Sequence, residues 1–272
     1  KGIETVTKFF SSQTAKELSQ KDKKSDLLIA FNVLPHTPDL NDFVKGLKIM
    51  LKEEGVIVIQ FSAYLLPFLQ NIEFDTVYHE HFSFFSVYTL EKIFSTYGLT
   101  IFDIEEQTIH GGSMRLYLKH DVNDSIQVSS NVANQIKKEI EYGVDKLDTY
   151  MKFQKRIDEL KSKIWEFFLD IKKENKKIVG YGAAAKATTL LNYCGIDKNI
   201  LPYVVDLNPY KQNRFLPGTQ IPIYDSKKIF ETKPDYILIL AWNLKDEIME
   251  QMKEITKWGG KFITFIPKVQ KY

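Results

Sequence analysis

Between Asp75 and His81 the chain packs a phenol, two imidazoles and two carboxylates into seven positions, Asp75-Thr76-Val77-Tyr78-His79-Glu80-His81. Core packing does not call for that density of proton-handling groups. It reads as a site for proton transfer, because titratable groups that perturb one another gather where catalysis uses them. Further on, His110-Gly111-Gly112-Ser113-Met114-Arg115 sets two glycines beside a hydroxyl and ahead of a permanent cation. That order suits a close backbone approach to a ligand and the holding of an anion. His-x-His with a carboxylate can also bind zinc. No cysteine pair or His-Glu-x-x-His spacing accompanies it here, so no metal is expected.

Regular elements must bring these groups together. Residues 26–31 are a continuous apolar run of strand length, the pattern of a strand buried on both faces of a parallel sheet. Asn32-Val33-Leu34-Pro35-His36 follows at the strand's carboxyl end, which in open α/β sheets faces the ligand crevice. A short amphipathic helix is expected over 9–20, capped by Ser11 or Ser12. Phe43, Leu47, Met50 and Leu51 repeat at helical spacing, with Gly55 as the expected stop, and 56–59 is another buried strand. Leu90, Ile93, Phe94 and Tyr97 mark a helix ended by Gly98, 99–104 is a strand, and 114–118 alternates as a strand with one polar face. The two motifs would then meet over one sheet end.

From about 125 to 175, Ile136, Ile140, Val144, Leu147 and Met151, then Ile157, Leu160, Ile164, Phe168 and Ile171, recur at helical spacing among lysines and glutamates. This predicts an amphipathic helical connector with one buried stripe. A second α/β unit follows. Residues 177–182 are a strand running into a glycine turn, and a helix starts with small residues and Lys186. Such an amino end favours phosphate, although Gly180-x-Gly-x-x-Ala fits simple tight strand–helix packing as well. Residues 201–206 form the next strand, ending in Asp206 about where a Rossmann unit holds a ribose. Strands at 236–240 and 261–266 flank a helix from about 244 to 257.

Composition bounds the reading. A chain of 272 residues with 44% hydrophobic and 26% charged residues is that of a globular protein of two ordinary domains, and a net charge of +2 is too small to point to nucleic acid. One cysteine, Cys194, allows no disulfide within the chain and no cysteine zinc cluster. No membrane span is expected, and Lys1-Gly2-Ile3-Glu4 lacks a signal-peptide core, so the expected location is the cytoplasm. Oligomeric state is not legible.

The motifs also carry a family resemblance. Asp26-Leu27-Leu28-Ile29, then Asn32-Val33-Leu34-Pro35-His36, then Leu51-Lys52-Glu53-Glu54-Gly55 before a hydrophobic strand, resembles the later half of a class I S-adenosylmethionine (SAM) methyltransferase fold. With Tyr78-His79-Glu80-His81 and His110-Gly111-Gly112-Ser113-Met114-Arg115 added, the chain is similar to C-methyltransferases acting on nucleotide-linked keto-deoxysugars. Gly180-Tyr181-Gly182-Ala183-Ala184-Ala185-Lys186, Asp206-Leu207-Asn208-Pro209-Tyr210-Lys211 and Leu216-Pro217-Gly218-Thr219 resemble the carboxy-terminal domain of the same family.

The resemblance implies an α/β protein in three parts. Residues 1–120 would be a partial Rossmann-like methyltransferase sheet with the catalytic motif, 121–175 a helical connector, and 176–272 a second Rossmann-like domain for a nucleotide sugar. In the family the two domains enclose that substrate. The implied cofactor is SAM, with Asn32 and His36 on its side. Family members begin with a zinc module and the first strands of the sheet, including the glycine-rich SAM loop. Zinc is expected only in that module, and this chain is expected to be a fragment, or to have its partner segment elsewhere, and to bind SAM poorly alone. Asn213 stands where the family usually has glycine, Phe84 where tyrosine is common and Gln60 where an acid is common. The last two bear on the fine geometry of the pocket more than on the reaction class.

By resemblance the reaction removes a proton from C3 of a 4-keto sugar, and the enolate then takes a methyl group. His81 is assigned as the base, Glu80 as its orienting partner and Tyr78 as a hydrogen-bond donor to the sugar, since an unperturbed imidazole titrates near pH 6.5. His79, His110, Ser113 and Arg115 are assigned to the substrate side, with His79 structural as the alternative. Lys186 and the Tyr181-Gly182 turn are assigned to nucleotide phosphate, and Asp206 to the ribose position. Two alternatives stand beside this: a non-catalytic nucleotide-sugar binder, and an NAD-dependent sugar dehydrogenase using Gly180-Tyr181-Gly182 and Asp206.

Overall fold

The computed structural model describes residues 2–272, apart from the side chain of His110. The chain folds as two units. One comprises the chain up to Leu66 with Glu80–Lys146, the other Pro67–His79 with Leu147–Tyr272.

In the first unit β1 (Ser25–Phe31), β2 (Leu51–Phe61), β3 (Leu99–Gln107) and β4 (Ser113–His120) form, among the described residues, a four-stranded sheet in the order β1-β2-β4-β3. β1 and β2 are parallel, and β4 runs antiparallel to both of its neighbours. Helix α1 (Ser12–Ser19) is capped by Ser11, whose Oγ accepts the Thr14 N–H at 3.0 Å. It packs on α2 (Leu40–Met50), where Gly46 leaves room: a Cβ there would lie 2.9 Å from the Phe10 ring and 3.1 Å from the Ser11 backbone. α3 (Leu65–Gln70), α4 (Val87–Thr96) and α5 (Ser130–Tyr142) follow.

Three expectations are corrected here. α2 ends at Met50 and β2 begins at Leu51, so Gly55 lies inside the strand instead of stopping the helix. Its missing side chain lets β1 pass, since a Cβ would come 2.9 Å from the Ser25 carbonyl oxygen. β1 is not buried on both faces. It is the sheet's edge, and Leu27, Ile29 and Phe31 are 53%, 60% and 45% exposed; an apolar run reads alike whether or not its second face is covered. The stretch 121–175 is not one connector, because α5 belongs to the first unit and α6 (Leu147–Lys173) to the second.

The first half of the expected stripe also turns out differently. Ile140, Leu147 and Met151 are exposed, and α5 instead buries Val132, Gln135 and Glu139. Glu139, with no exposed surface, accepts the Val87 and Tyr88 N–H groups at 2.9 and 2.8 Å and the Tyr64 hydroxyl at 3.0 Å. It thereby satisfies the amino end of α4, whose first amides have no partner within the helix. Burial pushes the Glu139 carboxyl above its ordinary range, and the two amides and the phenol pull it back.

In the second unit β5 (Ile178–Tyr181), β6 (Val204–Val205), β7 (Ile223–Tyr224), β8 (Tyr236–Ile239), β9 (Lys261–Thr264) and β10 (Gln270–Lys271) form a six-stranded sheet among the described residues, in the order β10-β9-β8-β5-β6-β7. All pair in parallel except β10 with β9. β5 and β8 are buried along their whole length, as continuous apolar runs require. α6 lays Ile157, Leu160, Ile164, Phe167, Phe168 and Ile171 into the core. α7 (Ala185–Cys194), α8 (Lys228–Thr232) and α9 (Lys245–Gln251) complete the unit. Among the described residues no helix is long and apolar enough to cross a membrane.

Glu139→Leu leaves three buried donors without an acceptor. The expected loss is roughly 2–5 kcal/mol of unfolding free energy in urea titrations; a loss under about 1 kcal/mol would contradict this role of the carboxylate.

Candidate functional site

In the first unit one row of residues crosses the sheet at the carboxyl end of β1 and β2. Phe31 is opposite Gln60, Gln60 opposite Arg115, and Arg115 opposite Glu105. Arg115 donates Nε–H and Nη2–H to Gln60 Oε1 at 3.0 and 2.7 Å and Nη1–H to Glu105 at 2.9 Å, and its guanidinium lies 5.6 Å from the centre of the Phe31 ring. The fork is thus oriented by a buried neutral amide. Arg115 keeps part of its surface open, with its side chain 27% exposed.

The chain leaves β1 through Asn32, whose backbone is left-handed (φ 54°) and whose N–H bonds the Gln60 carbonyl at 2.8 Å. A single 3-10 turn, Leu34–His36, then meets the motif. The His36 Nδ1–H donates to the Glu80 carbonyl at 2.7 Å, and Phe82 N–H donates to the Pro35 carbonyl at 2.9 Å. A carbonyl can only accept, so the Nδ1 proton is fixed and neutral His36 keeps its lone pair on Nε2. The His81 ring lies 5.1 Å from the His36 ring, centre to centre, and Phe84 packs edge-on to it at 5.8 Å. Position 84 therefore bears directly on the imidazole assigned as base. Sequence reasoning put Asn32 and His36 at this sheet end but missed that His36 pairs with the motif.

Other candidates are placed differently. Ser113 is buried and donates its hydroxyl to the Ile109 carbonyl at 3.0 Å, so it closes the glycine turn before β4 and offers no open hydroxyl. His110 lies outside the described residues. Glu80 and His81 belong to the first unit, and Tyr78 and His79 to the second.

In the second unit the glycine turn is filled by the chain itself. Gly180 and Gly182 are explained by packing: a Cβ at Gly180 would lie 2.7 Å from Val204, and one at Gly182 (φ 98°) would lie 3.2 Å from Ala241. Asp206 folds back on the turn, with Oδ2 accepting the Ala183 N–H at 2.8 Å and Oδ1 accepting the Asn208 N–H at 2.8 Å. Lys211 Nζ donates to the Ala183 carbonyl at 2.9 Å. The amide that a phosphate would take is thus already bonded, and Asp206 is turned inward instead of reaching a ribose. The Tyr181 hydroxyl donates to Gln251 at 3.0 Å from a ring buried in the core, so only its backbone lines the turn.

Lys186 is turned toward the turn that follows β8. Its Nζ donates to Asn243 Oδ1 at 2.7 Å and sits 4.3 Å from the centre of the Trp242 ring. The indole N–H of Trp242 in turn donates to Asp75 Oδ2 at 2.8 Å. Asp75 has no exposed surface, and Glu73 nearby is also buried. Burial pushes the Asp75 carboxyl up to about 6, against the pull of Lys186 and the Trp242 indole. Burial likewise pushes Glu73 up to about 7, with Asn71 pulling it down and Asp75 adding to the rise. Lys186 is lowered by its own burial and raised by both carboxylates. Sequence reasoning counted Asp75 in the motif but had no signal for its partner, because Trp242 is 167 residues away. Among the described residues no group of three or more His, Cys, Asp or Glu is placed to hold a metal ion.

Comparison with known proteins adds the following. Residues 108–267 match the family model described as C-methyltransferase C-terminal domain, and residues 3–104 match one described as methyltransferase domain. The C-methyltransferase NovU of Streptomyces niveus is 31% identical over 268 residues, covering 98% of this chain and 63% of that protein. The chain therefore spans less than two thirds of that relative. Among solved structures, the M1.HpyAVI–SAM complex aligns at 12% identity over 40% of this chain and 50% of that one, with a TM-score of 0.27. M1.HpyAVI aligns at 12% identity over 81% and 90%, with a TM-score of 0.25. Superpositions that loose carry no argument.

The raised Asp75 carboxyl makes a signed prediction. Its pKa is higher folded than unfolded, so the folded chain binds the extra proton, and the associated stability is full below about pH 4 and lost as pH rises to about 6. Asp75→Asn lacks that loss. Its unfolding free energy relative to the parent should therefore rise between pH 4 and 7, by on the order of 2–3 kcal/mol; a difference flat with pH would contradict the placement.

Proposed function

We propose, for a chain that belongs to the C-methyltransferase family, that it carries the proton-transfer part of an enzyme that C-methylates a nucleotide-linked 4-keto-deoxysugar. The observation that supports this reading is the pairing of the His36 and His81 rings, 5.1 Å apart, beside Glu80 at the carboxyl end of a parallel strand. Ligands in open α/β sheets bind at that end.

A ketone at C4 acidifies the C–H bond at C3. In the proposed reaction His81 accepts that proton on a ring nitrogen, the C–H electron pair becomes the enolate, and the charge moves to the former carbonyl oxygen. Tyr78 donates a hydrogen bond to this oxygen, which helps most where negative charge is building. Glu80 orients His81 and stabilises the imidazolium once formed. Arg115, its fork already aligned by Gln60 and Glu105, offers its remaining surface to an anionic group of the substrate. The exposed side chains of Asn32 and His36 suit the polar parts of SAM and would hold it. When bound, SAM supplies an electrophilic methyl group to the carbon that His81 has deprotonated.

The likeness to C-methyltransferase NovU supports the reaction class. The dehydrogenase alternative is weakened by Asp206, which occupies the Ala183 amide that a dinucleotide pyrophosphate would need.

Exchange of the sugar C3 proton with solvent deuterium tests the reading without methyl transfer. The parent chain should catalyse it with a deoxythymidine-diphosphate 4-keto-deoxysugar, and His81→Asn should slow it by at least about a hundredfold. Exchange at the parent's rate in His81→Asn would reject His81 as the base.

A further inference from the structure

The segment Pro67–His79 belongs to the second unit although the chain on both sides of it belongs to the first. It is fastened there along its whole length. Arg156 on α6 donates to the Leu69 and Gln70 carbonyls at 2.8 and 2.7 Å, and Phe153 packs on Phe68 with ring centres 4.9 Å apart. One face of α7 takes the rest: Tyr193 packs on Phe74 with the rings tilted and their centres 5.0 Å apart, and Thr189 donates to the Val77 carbonyl at 3.3 Å. Lys186, on the same face, reaches the Trp242 indole that holds Asp75.

Two features show that this seat is imposed on the segment. Ile72 has a left-handed backbone (φ 56°), a conformation in which a β-branched residue is strained and which persists only where its surroundings enforce it. Asp75 is a carboxylate with no exposure, and a buried charge survives only with a donor or countercharge in reach. Val77, whose carbonyl Thr189 holds, immediately precedes Tyr78 and His79 in the proton-transfer motif.

We propose that Lys186 and Trp242 are positioning residues for that motif: by holding the Asp75 carboxylate within the second unit they fix the turn Phe74–Val77, and with it the placement of Tyr78 and His79. This rests on the proposed reaction only for its catalytic consequence; the holding of the turn stands on the contacts alone. Lys186 then serves the enzyme from inside the unit, through Asp75, and touches no nucleotide phosphate. The geometry of a hydrogen-bond donor to a developing oxyanion is sensitive to shifts of an ångström, so loosening this turn should act on turnover more than on substrate affinity.

The test uses the whole chain and two readouts. Backbone amide exchange over residues 74–79, followed by mass spectrometry, should quicken by at least about tenfold in Lys186→Met and in Trp242→Phe, with β1 to β9 unchanged. Lys186→Arg keeps the cation and should return exchange to within about threefold of the parent. In the C3 exchange assay both loosened variants should lose about a hundredfold in kcat with KM within about twofold. Parental amide exchange in both variants would overturn the proposal, and so would a loosened turn with parental kcat. Should Lys186→Met lose protection throughout the sheet, Trp242→Phe decides in its place: quickened exchange over residues 74–79 alone supports the proposal, and parental exchange there overturns it. A parent chain inactive in C3 exchange would refute the proposed reaction, and the amide readout would then decide alone whether Lys186 and Trp242 hold the turn.

Discussion

Burial of the Asp75 carboxylate is the constraint on which much of this structure turns. An ionised carboxylate removed from water is destabilising by several kcal/mol unless donors and countercharge replace its hydration. Here the Trp242 indole N–H, with the Lys186 ammonium against its ring face, takes one carboxylate oxygen, Oδ2, while Oδ1 is buried with no hydrogen-bond partner among the described residues. Lys186 comes from the first turn of α7, which follows β5, and Trp242 from the turn that follows β8, β5 and β8 being the central strands of the second sheet, and the carboxylate comes from a segment that precedes α4 in the chain. An interaction of this kind ties chain order to tertiary structure, because donor and acceptor lie 167 residues apart.

Two other carboxylates act in the same manner at shorter range. Glu139 completes the amino end of α4, and Asp206 closes the glycine turn after β5. Each takes backbone amides that would otherwise need water or a ligand. Glu80 and the His36–His81 pair contrast with them, since Glu80 and His36 are exposed and His81 is partly so, at the end of a parallel strand. The molecule thus has buried acids that fasten loops and, apart from them, an acid and an imidazole with exposed surface at one sheet end.

The sequence pattern made some of this legible and concealed the rest for physical reasons. Buried strands β5 and β8 were readable because a run of apolar residues leaves few other solutions. The capping of α1 by Ser11 and the end of α4 before Gly98 followed from local chemistry. Periodicity alone did not show the open face of β1, since it reports what a strand could bury and not what covers it; only the absence of the family's first strands pointed to an open edge. On α5 the apolar stripe pointed to Ile140 while the fold buried Glu139, because three donors on distant residues outweighed hydropathy. Within the site, the motif Tyr78-His79-Glu80-His81 and Arg115 stood out by residue type. Lys186 and Asp206 stood out too, but their chemistry is directed inward by partners 57 and 23 residues away. Spacing along the chain carries no record of such pairings.

The most direct measurement of the central claim is a double-mutant cycle between Asp75 and Lys186. Unfolding free energies of Asp75→Asn, Lys186→Met and the double variant should depart from additivity by at least about 1 kcal/mol, with the double variant more stable than the sum of the single changes predicts. Additivity within about 0.5 kcal/mol would mean that the two charges do not sense each other. The Lys186 charge would then play no part in seating the buried acid, which contradicts the account.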